Sequence, residues 1–153
     1  MKLILLITVL CVQYSRINST VDENNIDASD ENKYNVNELE QSILNYYKNP
    51  EKSTGQKVVD DLGKYIVGLY RFMRKMKQGD KKITKEGIEY YSKGKPEFMK
   101  YPPKDDEFRE MMNCSNYESQ HYRYLRQDID LAWDLLKEHI EDLKTITTES
   151  VPA

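Results

Sequence analysis

Between Lys57 and Gln78 the apolar residues recur every three or four positions. At about 100° per residue, Val58, Leu62, Tyr65, Ile66, Leu69, Phe72, Met73 and Met76 share one side of a helix. Val59 and Tyr70 widen that arc to roughly half the circumference. Lys57, Asp60, Lys64, Arg71, Arg74 and Lys75 take the other side. So wide an arc predicts a helix over 57–78 touched by more than one neighbour. Ser53 or Thr54 can cap it, and Gly79 stops it.

The same period marks further helices. Val36, Leu39, Ile43, Leu44 and Tyr47 predict a first helix from 36 to about 49, with Asn37 as a cap and Pro50 as its limit. Thr84 opens a third helix to Lys93, with Ile83, Ile88 and Tyr91 inward. Gly94, Pro96, Pro102 and Pro103 break the chain, leaving room for one turn over 97–101. Asp105 or Asp106 begins the next helix, with Phe108, Met111 and Met112 inward. Ser115 and Glu118 have capping-box spacing and start a last helix over 116–147. Its inward row is His121, Leu125, Ile129, Ala132, Leu136, Ile140 and Leu143, with Trp133 and Leu135 on opposite shoulders. If the box does not break the chain, 105–147 is one rod. The expected fold is all-α: about five helices in a compact bundle over 36–148, the long ones near 57–78 and 116–147, with no internal disulfide.

The ends read differently. Lys2 followed by the ten-residue apolar run Leu3–Val12 resembles a secretory signal over 1–19, with cleavage at Ser19 or alternatively Ser15. The run is short of the about 20 residues a membrane helix needs. A lipid anchor on Cys11 fits poorly behind Leu10. Residues 20–35 carry five acids and few apolar groups, as an unstructured linker does, and 149–153 reads as a frayed tail. The expected location is therefore extracellular, with no membrane span in the mature form. Signal removal would leave Cys114 as the single cysteine. It reads first as a small buried residue and second as an intermolecular bridge making a dimer.

Charge is divided along the chain. Residues 64–100 hold eleven Lys/Arg and four Asp/Glu, whereas 105–149 hold five and twelve. The formal charge of −3 argues against a dedicated nucleic-acid binder. His121 and His139 lie eighteen residues apart, about 27 Å along one helix, and cannot share a metal. Cys114 with either histidine lacks an orienting motif. There is no glycine-rich phosphate loop and no nucleophile elbow. No catalytic residue, metal ligand or cofactor site is assigned, and the expected protein is not an enzyme. Asn18-Ser19-Thr20 and Asn113-Cys114-Ser115 are glycosylation acceptors; the first overlaps the signal, which leaves Asn113.

Tyrosine is the compositional outlier: twelve, against three phenylalanines and one tryptophan. A ring with a polar tip suits interfaces. Tyr46-Tyr47 and Tyr90-Tyr91 are adjacent pairs, so one member of each should face outward. Tyr117, Tyr122 and Tyr124 point in several directions. Tyr46, Tyr90, Tyr117, Tyr122 and Tyr124 are therefore the expected partner-binding residues. Leu44-Asn45-Tyr46-Tyr47-Lys48 also echoes Ile88-Glu89-Tyr90-Tyr91-Ser92, as a duplicated helical hairpin would.

The signal, the tyrosine-rich helical body and the Cys114-Ser115-Asn116-Tyr117 turn resemble small secreted salivary effectors of sap-feeding insects, the bicycle-type proteins. That family carries paired cysteine-tyrosine-cysteine motifs; here Glu118 follows the tyrosine and no second cysteine is near. The resemblance implies delivery into a host and action by binding a protein of unknown identity. The alternative is a helical carrier of a small apolar ligand, its core lined by Phe72, Met73, Met76, Met111 and Met112. It would resemble insect odorant-binding proteins, which use several cysteines that this chain lacks.

Overall fold

In a computed structural model of the chain, residues 34–149 are described. The signal, most of the linker and nearly all of the tail expected from the sequence lie outside them. The described chain is all-α. Six helices run in the order α1 (Val36–Lys48), α2 (Gly55–Lys77), α3 (Lys81–Ser92), α4 (Glu97–Lys100), α5 (Asp105–Met112) and α6 (Asn116–Glu149). A 3-10 turn over Pro50–Lys52 links α1 to α2.

Local chemistry sets the boundaries. Asn35, not Asn37, caps α1: its side chain accepts from the Asn37 and Glu38 amides at 3.1 and 3.4 Å. The Thr54 hydroxyl accepts from Lys57 N at 3.2 Å and opens α2. At the far end Gly79 takes φ +80°, and Asp80 N reaches back to Lys75 O at 3.1 Å, the six-to-one bond of a Schellman close. Asp80 then starts α3, accepting from Ile83 N at 3.0 Å. That cap sets α3 going three residues before the start expected at Thr84. Asn113, with φ 45°, turns the chain out of α5. The Ser115 hydroxyl accepts from Glu118 N at 3.2 Å while Glu118 returns to Ser115 N at 2.8 Å. This box does break the chain, so 105–149 is two helices rather than one rod.

The central element is α2, which packs against α6, α1, α3 and α5. Val58, Leu62, Tyr65, Leu69, Met73 and Met76 are buried along it. From α6 come Tyr122, Ile129, Ala132, Trp133, Leu136 and Ile140. Ile129, Ala132, Leu136 and Ile140 thus keep the expected inward row of α6, with Leu125 and Leu143 partly buried, and the row departs at its N-terminal end. His121 is exposed and Tyr122 takes the core position. Trp133 is buried and Leu135 exposed. On α3, Tyr90 is the buried ring, whereas Ile88 and Tyr91 are half-buried at its edge. Gly68 lets α1 dock: a Cβ there would stand 2.7 Å from Tyr34 O and from Val36 Cγ1. Cys114 is a free thiol, half-buried rather than buried, and packs against the core. No described helix is long and apolar enough to cross a membrane.

Candidate functional site

Some tyrosines form an interior set and others an outer row on α6, and on a given helix the angle of each decides which. Tyr122 on α6 is fully buried. Its ring stacks on Phe108 with centroids 3.8 Å apart and meets the edge of Tyr47 at 6.5 Å. Its hydroxyl donates to Pro103 O at 3.0 Å and accepts from the Tyr47 hydroxyl at 3.3 Å. Burial raises its pKa to about 12 against the opposing pull of Tyr47 and Arg126. Tyr90 is 5% exposed. It shares a 2.7 Å hydrogen bond with Tyr65, reaches Glu40 at 3.3 Å and meets the Trp133 ring at 5.7 Å. Burial again pushes both hydroxyls up. Neither Tyr90 nor Tyr122 can therefore form the partner-facing surface expected of them. Both are covered because a third helix closes over each.

Nor does either adjacent pair offer an exposed member. Tyr46 and Tyr47 are both half-buried, as is Tyr91 beside the buried Tyr90. Tyr91 lies against Trp133 at 5.5 Å. Tyr46 spends its hydroxyl on Asp61, donating at 2.9 Å.

Asp61 is a site residue that the apolar pattern did not single out. Its carboxylate is buried in the second turn of α2, with Lys64 Nζ at 2.6 Å and Lys57 Nζ at 3.6 Å. Burial pushes its pKa up. Hydrogen bonds from Lys64 and Tyr46, with the charges of Lys64 and Lys57, outweigh burial and hold it below the usual range. The signal was present: lysines at i−4 and i+3 share its helix face. Every oxygen is committed, so the group serves as a structural anchor between α1 and α2.

The outer row is different. Tyr117 and Tyr124 are 74% and 49% exposed, and Leu131 and Leu135 are exposed beyond them. The steps are seven, seven and four residues, which keeps all four within about 40° of one line along α6. The row is about 27 Å long. Tyr124 is steadied by the Arg123 guanidinium 5.3 Å from its ring and by Gln120 Nε2 donating to its hydroxyl at 3.3 Å. Tyr117 lies 6.2 Å from the His121 ring. Asp128 sits half-buried within the row; burial raises its carboxyl, and His121 partly offsets this. Tyr101, in the proline-rich connection, is also exposed. Asn113, the glycosylation acceptor expected from the sequence, is exposed on the turn just before α6.

A cleft lined by Tyr47, Leu62, Phe98, Met99, Pro102, Arg126, Ile129 and Asp130 holds about 20 Å³. That is room for a water, not for an apolar ligand. Met73, Met76 and Met112, expected to line a ligand cavity, are buried in the packed core. Among the described residues, no three His, Cys, Asp or Glu side chains are grouped to hold a metal. No protein-family model, curated protein or solved structure matches the chain, so the functional reading rests on this geometry.

Proposed function

We propose that the protein is a secreted, non-enzymatic interaction protein that binds another protein along the outer row of α6. The supporting observation is the line of Tyr117, Tyr124, Leu131 and Leu135, a strip of large side chains exposed along one face of α6. Steps of seven and four suit a partner helix laid along α6, whose own apolar residues would recur at the same period. Asp134, Glu138 and Asp142 stand beside or beyond the row's C-terminal end and favour a partner carrying cations there. Tyrosine and leucine in one strip supply apolar area, and the tyrosine hydroxyls keep it wettable when unbound. Secretion is the part of the reading that comes from the N-terminal sequence, and delivery into a host tissue would follow the effector resemblance. The small cleft gives the carrier alternative no comparable support.

The test is affinity capture with the full chain and with a Tyr117→Ala/Tyr124→Ala/Leu131→Ala variant from the same candidate extracellular fluid. The expected result is a saturable protein retained by the first and lost, at least about tenfold, with the second. Retention of the same protein by both would overturn the assignment of the row. Secretion is tested separately, by expressing the full chain in eukaryotic cells and sequencing the N-terminus of the product in the medium. A start near residue 19 is expected; product held in the cells with Met1 intact would contradict it.

A further inference from the structure

A second surface lies at the corner where α2 passes into α3. Residues 71–85 hold seven cations and one acid in a chain whose formal charge is −3. Arg74, Lys77, Lys81, Lys82 and Lys85 are all exposed there. Lys77 and Lys81 are four residues apart, so their Cα atoms lie within about 14 Å of one another.

Stability of the fold does not account for this clustering. Arg74 and Lys77 do face the negative end of α2, where cations are favourable. Lys81 and Lys82, in contrast, occupy the first turn of α3, where cations oppose the helix dipole. Arg74, Lys77 and Lys81 make no ion pair among the described residues. Lys82 and Lys85 reach Glu86 and Glu89 only at 4.0 and 3.9 Å, with all four side chains well exposed. Lysine ahead of glutamate at i,i+4 is also the weaker order, and such exposed pairs give at most about 0.5 kcal/mol. The five exposed cations therefore have no strong ion-pair partner among the described residues and are cheaply released to another anion.

We infer that this corner binds a sulfated polysaccharide. A repeating polyanion matches a dense set of point charges on flexible stems. Single-stranded nucleic acid would use exposed rings for stacking, and the sole aromatic between 71 and 85, Phe72, is half-buried and stacked on Tyr90 with centroids 6.1 Å apart. A membrane surface would use an exposed apolar wedge, but Met76 is buried and Ile83 half-buried.

The experiment measures binding of the full chain to a heparin oligosaccharide between 50 and about 300 mM salt. It is repeated with a Lys77→Gln/Lys81→Gln/Lys82→Gln/Lys85→Gln variant and with a control, Lys48→Gln/Lys52→Gln, at the other end of α2. We expect the quadruple variant to bind at least about tenfold more weakly at 0.1 M salt, with a shallower salt dependence, because fewer counterions are released. The control and a Lys→Arg quadruple variant should bind as the parent does. An unchanged urea midpoint in the quadruple variant excludes a folding defect. No binding to heparin at 0.1 M salt, or equal loss in the control, would overturn the inference. So would equal or tighter binding to size-matched single-stranded DNA, to phosphatidylserine vesicles or to poly-glutamate. The Tyr117→Ala/Tyr124→Ala/Leu131→Ala variant should keep heparin binding, so that this surface and the α6 row fail independently.

Discussion

Tyr122 and Tyr124 are two residues apart on one helix, and truncating each to alanine should have very different consequences. Tyr122 is fully buried, stacked on Phe108 at 3.8 Å and edge-on to Tyr47 at 6.5 Å. Removing a buried ring of this size costs about 3–5 kcal/mol, including the cavity left behind. The hydroxyl adds a separate contribution. Pro103 O would keep its bond from Arg126 Nη1 at 3.0 Å, but the Tyr47 hydroxyl would lose its acceptor. A buried donor left in that state costs about a further 1 kcal/mol. The total, about 4–6 kcal/mol, is comparable with the whole stability of a domain at the lower end of the usual range. Tyr122→Phe isolates the hydroxyl and should cost only about 1 kcal/mol. Tyr124 is half-exposed, with Arg123 over its ring and Gln120 on its hydroxyl at the surface, so Tyr124→Ala should stay within about 0.5 kcal/mol of the parent. Urea unfolding followed by far-ultraviolet circular dichroism, with the slope fitted for each variant, gives all three numbers. If Tyr122→Ala and Tyr124→Ala shift the midpoint equally, the division of tyrosines into interior and surface sets is wrong.

Three further outcomes follow from the same packing. Gly63→Ala meets open space inside α2 and should stabilise by about 0.5–1 kcal/mol, whereas Gly68→Ala drives a methyl into Tyr34 O and Val36 and should destabilise by a net 1–2 kcal/mol or so; opposite signs in urea midpoints check the docking of α1. Asp61→Asn keeps the shape but removes the charge that Lys64 and Lys57 face, and should cost about 1–2 kcal/mol at pH 7. Because the folded carboxyl is held below its unfolded value, that stability is present above the unfolded pKa and is lost as pH falls through the folded one, so parent and variant should converge in acid. His139 has a buried, unpartnered Nε2; burial and the charge of Lys77 lower its pKa, with Asp142 opposing. The unfolded chain then takes up the proton more readily, so stability should decline as pH falls below about 6.5, and His139→Leu should flatten that decline in thermal melts.

The helices were legible because their apolar period is strong and their stops are chemical. Thr54, Gly79 and Ser115 acted where the sequence placed them. Asp80 was missed as the α3 cap because it also lies in the turn that closes α2, and one residue serving both ends leaves no separate signal. The inward row of α6 holds from Ile129 to Ile140 and departs at its N-terminal end, where Tyr122 rather than His121 faces the core. Position alone could have corrected this, since Tyr122 continues the line of Ile129, Trp133, Leu136 and Ile140. For the same reason Tyr90 was assigned outward: which member of an adjacent pair faces in depends on where Trp133 lies, and that is a tertiary fact. Tyr117 and Tyr124 lie on the surface because their angle departs from the core line, and this much was readable. Their seven-residue continuation to Leu131 was also in the sequence but becomes meaningful only once those leucines are seen to be uncovered.

The division of tyrosines on which the functional reading depends can be observed directly. Brief O-acetylation of the folded protein with N-acetylimidazole, followed by peptide mapping, ranks each hydroxyl by its access to solvent. Tyr101, Tyr117 and Tyr124 should modify first, with Tyr65, Tyr90 and Tyr122 protected until the chain unfolds. Early modification of Tyr90 or Tyr122, or protection of Tyr117 and Tyr124 in the unbound protein, would contradict the assignment of an interior frame and an outer binding row.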